Sequence, residues 1–121
     1  MGIPASSRLR KPSEFQGVRS LGHRIHCGPF IFQCLVSESR MAPRLGIVAS
    51  RRVGNATKRN YGKRMFRELF RKHFAELPLG SELVIVLRSH FNLHSFEDLE
   101  ARLLCACHTI QKNQMADIAT D

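Results

Sequence analysis

Between Glu82 and Arg88 five apolar residues follow without a break, Leu83-Val84-Ile85-Val86-Leu87. Successive side chains of a strand point to opposite faces, so a strand of this composition needs cover on both. It is read as a central strand of a sheet. The rest of the chain must supply neighbouring strands and the helices that cover them. From Arg24 to Ser37 the pattern alternates, with Phe30, Phe32 and Cys34 on one face and Ile31, Gln33 and Leu35 on the other; Gly28-Pro29 breaks it into two strands and a turn. The run Leu45 to Ser50 supplies a third strand.

Three helical stretches accompany these strands. Ser13 is placed to cap a short helix running to about Arg19. A longer helix starts near Asn55 and is ended by Pro78 and Gly80. At 100° per residue it groups Tyr61, Gly62, Met65, Phe66 and Leu69 on a core-facing side, with Arg59, Phe70 and Phe74 at a border. Ser95 with Asp98 three positions on has the form of a capping box. Phe96, Leu99, Leu103, Ala106 and Ile110 carry that helix to about Gln111, after which fraying is expected. The order is α-β-β-β-α-β-α, an α+β sandwich of helices on a four-stranded sheet. The 121 residues suit one domain, with a folded core over 8–111 and flexible tails at 1–7 and 112–121.

Charge is distributed unevenly over this frame. Between Ser50 and Lys72 nine Lys or Arg residues meet one carboxylate, Glu68, for a formal +8 of the chain's +9. Asn60, Lys63, Arg64, Arg67 and Arg71 share the helix face opposite the core. Solvated faces ordinarily mix signs, and a one-sign stripe repels itself unless a polyanion neutralises it. Nucleic acid is the expected partner. No apolar run approaches the length of a membrane span, and no apolar segment follows the basic N-terminus as in a signal peptide, so a cytoplasmic location is expected.

The chemistry-bearing residues are sparse. His23, His26 and Cys27, and again Cys105, Cys107 and His108, lack zinc-ligand spacing, since two helical positions two apart diverge by about 200°. The cysteines are read as reduced, buried packing groups. Gly62-Lys63 ends like a phosphate-binding loop, but Gly54 stands at the wrong spacing and Arg64 replaces the hydroxyl residue that would hold magnesium. Glu97, Asp98 and Glu100 form the one carboxylate cluster with metal potential, and Asp98 is better used as a cap. No autonomous active site emerges. Phe15, Phe30 and Phe32 are candidates for stacking on unpaired bases wherever they are exposed.

The string from Arg44 to Glu68, with Ser50-Arg51-Arg52-Val53-Gly54-Asn55-Ala56 leading into Arg59-Asn60 and then Lys63-Arg64 and Arg67-Glu68, resembles the signature of the bacterial ribonuclease P protein component. The resemblance extends more loosely from Arg8 to about Ile110. It implies a basic subunit that helps a catalytic RNA remove the 5′ leader of precursor tRNA, with magnesium bound by the RNA and no obligate protein partner. It also implies a left-handed crossover around the basic helix, where pattern alone gives the right-handed form. Arg51, Arg52, Lys58, Arg59, Asn60, Lys63, Arg64, Arg67 and Arg71 are then expected to face the catalytic RNA. Phe15, Arg19, Phe32 and Gln33 are expected in a cleft for the single-stranded leader. Tyr61 and Gly62 depart from the family pattern, as do Arg19 and Gln33 at positions often aromatic, which makes leader contacts more ionic than stacked. A general RNA-binding or ribosomal-type protein is the alternative, and a protein-only nuclease using Glu97 and Glu100 a third reading.

Overall fold

The computed structural model describes residues 3–38 and 41–120, with side chains as far as residue 113. Helix α1 (Pro12–Leu21) leads into strands β1 (His23–His26), β2 (Phe30–Val36) and β3 (Arg44–Val48); α2 (Ala56–Lys72), β4 (Ser81–Leu87) and α3 (Phe96–Thr120) complete the order. It is the α+β order expected from the sequence. The sheet runs β1-β2-β4-β3, antiparallel except for the parallel pairing of β3 with β4. That pairing makes β3–α2–β4 a crossover unit and places β4 between two neighbours.

Burial follows strand parity. Leu83, Ile85 and Leu87 join Phe30, Phe32 and Cys34 in the main core under α2 and α3, and Phe66 meets Phe30 edge-on with ring centroids 4.9 Å apart. On the other face Val84 and Val86 pack with Leu35 against Val18, Phe15 and Leu9 of the α1 layer. The unbroken apolar run is thus covered on both sides, α1 on one and α2 with α3 on the other.

Several boundaries differ from those expected. Helix α1 begins at Pro12, because proline's fixed φ suits a first helical position and the Glu14 carboxylate accepts from the Arg10 and Lys11 amides at 3.0 and 2.9 Å; Ser13 lies inside the helix and does not cap it. Helix α2 ends at Lys72, before Pro78, and a 3-10 turn over Phe74–Glu76 follows. Of the tail expected over 1–7, residues 1 and 2 lie outside the described residues, and residues 3–7 are not loose. Ile3 is buried in the main core, the Arg8 side chain donates to its carbonyl, and Arg8 and Leu9 run beside Leu45 along the outer edge of β3. Helix α3 continues to Thr120, past the expected end at Gln111. The flexible tail expected over 112–121 is therefore helical through Thr120, with residue 121 outside the described residues. The start of α3 matches half of the expected capping box: the Ser95 hydroxyl accepts from the Asp98 amide at 3.0 Å, but the Asp98 carboxylate, expected as a cap, is taken by His94 and Arg102. Among the described residues no helix is long and apolar enough to cross a membrane.

Candidate nucleic-acid interface

Helix α2 owes its start to Asn55, whose side chain accepts from the Lys58 amide at 2.9 Å. Its inner side buries Gly62, Met65, Phe66, Leu69 and Phe70. Two assignments change here. Phe70 is core and not border, while Tyr61 is 44% exposed and outside the core. The outer side carries Arg59, Asn60, Lys63, Arg64, Arg67 and Arg71, and a 3-10 turn just before the helix presents Arg51 and Arg52. Arg71 pairs with Glu68, Lys72 with Glu100 at 2.7 Å, and Lys58 donates to the Ser89 carbonyl. Among the described residues Arg51, Arg52, Arg59, Lys63, Arg64 and Arg67 have no carboxylate partner, and the buried Arg59 Nε has no hydrogen-bond acceptor. Six uncompensated cations before and along the helix form a ready surface for phosphates.

A second basic surface lies across the sheet. Between α1 and the strands runs an open groove of about 610 Å³, floored by Gln33, Val84 and Val86 and walled by Phe15 and Arg19. Arg10 and Arg24 complete its rim. Phe15 is half-buried and its ring rests on β3 at Gly46, where a Cβ would stand 2.5 Å from its Cε1. Only glycine admits the ring at that depth. Arg10 and Arg24 are the rim cations that sequence reasoning missed, and of the two Arg24 left a signal. It pairs with Gln33 across the β1–β2 hairpin, so the hairpin register was the signal that could have found it.

Phe32 is corrected outright. It is fully buried among the residues under α2 and α3, and Phe30 with it, because consecutive strand residues alternate faces and Gln33 takes the groove side. The remaining predicted cleft residues, Phe15, Arg19 and Gln33, do come together. The two surfaces also meet. Phe15 and Gly46 line a small cavity of about 110 Å³ at the β3 edge that reaches Lys63 and Arg67 of α2.

Of the carboxylates weighed for metal binding, Glu100 and Asp98 are committed internally, while Glu97 is exposed. Glu100 accepts from Lys72 and lies 2.6 Å from His73 Nε2, and these contacts, Lys72 foremost, hold its carboxyl below the usual range. Asp98 is held low by His94 first and Arg102 second. Arg102 also donates to the Cys27 carbonyl at 2.8 Å, tying the β1–β2 turn to α3. Cys34 and Cys107 are packing groups whose thiols burial pushes up to about 12, whereas Cys105 is exposed and not the buried residue expected.

Fold and surfaces together define a class: a small α+β protein with a one-sign basic helix on one side of its sheet and an arginine-rimmed groove on the other. The family described as Ribonuclease P matches residues 3–111. The ribonuclease P protein component of Brevibacillus brevis is 34% identical over 99 residues, covering 82% of this chain and 79% of that one. That of Desulfovibrio desulfuricans is 36% identical over 92 residues, covering 73% and 68%. Among solved structures, the Staphylococcus aureus RNase P protein superimposes with a TM-score of 0.75 at 26% identity over 88% of this chain and 95% of that chain. The Thermotoga maritima RNase P protein gives 0.73 at 30% identity, over 83% and 94%. The chain belongs to the ribonuclease P protein family.

Proposed function

We propose that the α2 face binds the catalytic RNA of ribonuclease P while the α1 groove holds the single-stranded 5′ leader of precursor tRNA. The observation that carries this reading is the junction at β3, where Phe15 belongs both to the groove and to the cavity reaching Lys63 and Arg67. A strand lying in the groove would leave it beside the helix that grips the ribozyme, so one protein would hold both RNAs in register. Phosphates would be met by Arg10, Arg19 and Arg24, and a base by the Phe15 ring, which makes leader binding mainly ionic with one stacking position. The hydrolysis is then the RNA's, with magnesium held by that RNA, and the protein contributes affinity and position. Incubating the purified protein with precursor tRNA, with and without the catalytic RNA subunit, tests this. Stimulation only when the RNA is present is expected; cleavage by the protein alone would overturn it.

A further inference from the structure

Tyr61 and Gly62 sit in the middle of the basic stretch and break its pattern. In the structure they form one device. A Cβ on Gly62 would stand 2.6 Å from Leu87 Cδ1 and 2.9 Å from Phe91 Cζ, so the glycine admits the fully buried Phe91 against α2. Phe91 in turn backs the Tyr61 ring at 6.1 Å between centroids with planes 32° apart. Lys58 also holds the Phe91 turn, its ammonium 6.0 Å from the centre of that ring and bonded to the Ser89 carbonyl. Tyr61 is therefore supported from below and left with its outer side in solvent.

That outer side opens on a surface depression of about 580 Å³ shared by Met65 and Phe96, with Arg64 and Arg67 on its rim. Glu68 also borders it, but its carboxylate is taken by Arg71. We infer that Tyr61 is a stacking platform for an unpaired base of the catalytic RNA, with Arg64 and Arg67 on the flanking phosphates. An aromatic plane beside uncompensated guanidinium groups suits a nucleobase, because every base presents a π-face and every flanking phosphate a charge. An idle tyrosine would need no such support. The inference rests on the reading of α2 as the RNA-binding face and adds base contact to a surface otherwise built for phosphates.

The test compares the wild type with Tyr61→Phe and Tyr61→Leu for binding to the cognate catalytic RNA over a range of salt. Loss of the ring in Tyr61→Leu should weaken binding roughly tenfold or more, with the slope of log K against log salt unchanged, since no phosphate contact is lost. Tyr61→Phe should bind as the wild type does. Because the chain has one tyrosine and no tryptophan, emission of the wild-type protein, corrected for RNA absorbance, reads this ring alone and should be quenched on binding. Full affinity in Tyr61→Leu with wild-type binding intact overturns the platform and leaves the RNA-binding reading standing. Absence of wild-type binding overturns both.

Discussion

At the scale of single residues, the groove depends on an absence. Gly46 keeps β3 bare where the Phe15 ring lies, and the same added methyl that would meet Phe15 would also stand 3.2 Å from Leu9 Cβ. Gly46→Ala should therefore lift the ring and cost about 1 to 3 kcal/mol through overpacking. We expect it to lower affinity for precursor tRNA carrying a leader more than for the same tRNA without one. Equal losses for the two substrates would place the ring outside leader binding. Phe15 was legible in the sequence, but Arg24, which lines the same groove, was not, because pairing Arg24 with Gln33 requires knowing where the Gly28-Pro29 turn sets the register. Phe32 shows the reverse. The alternation that puts Gln33 toward the groove puts its neighbour into the core, and a residue cannot serve both faces.

Helix α2 sets the scale of the element. Its pattern gave the buried side almost whole, since Met65, Phe66 and Leu69 repeat at helical spacing beneath a stripe of cations. Tyr61 escaped that pattern because Phe91, thirty residues away, occupies the space beneath it, and such a neighbour leaves no trace in local periodicity. Ile3 escaped for a similar reason: a single branched apolar residue between glycine and proline shows no period, yet it docks in the core beside the helix. Along the outer stripe, Lys63 has no carboxylate partner among the described residues and stands where the two basic surfaces join. Lys63→Ala should weaken binding to the catalytic RNA and make the log–log salt dependence shallower by about 0.9 if one phosphate contact is lost. A titration at several salt concentrations measures this, and an unchanged slope would move the contact off this residue.

For the molecule as a whole, three carboxylates hold separate layers together. Glu14 receives the Lys11 and Arg10 amides and an ion pair from Arg44 of β3 at 2.6 Å, Asp98 supports the Arg102 tie to the β1–β2 turn, and Glu100 joins the end of α2 to α3. All three carboxyls are depressed in the folded state, Glu14 to about 2 with the Lys11 amide as the main cause. A depressed carboxyl contributes stability that is complete above its unfolded value and lost as pH falls through its folded one. For Glu14 the loss runs from 4.5 down to about 2. Thermal unfolding across that window should show falling stability. Glu14→Gln should lower stability at neutral pH by about 1 kcal/mol, the usual worth of a helix cap, and flatten the acid limb. An acid limb as steep as the wild type's would assign it to other groups.

The central strand also has a meaning in time. β4 is the sixth of the seven main helices and strands in chain order, yet it pairs with both β2 and β3 and buries residues on both faces. Until it is synthesised, β2 and β3 have no common neighbour, and the apolar side of α2 has no floor. The segment richest in positive charge thus precedes in the chain the strand that can organise it, with its basic surface complete in sequence and unformed in space. Folding of this protein waits on a late, long-range pairing, and the basic helix acquires its fixed geometry in the same step as the rest of the sheet.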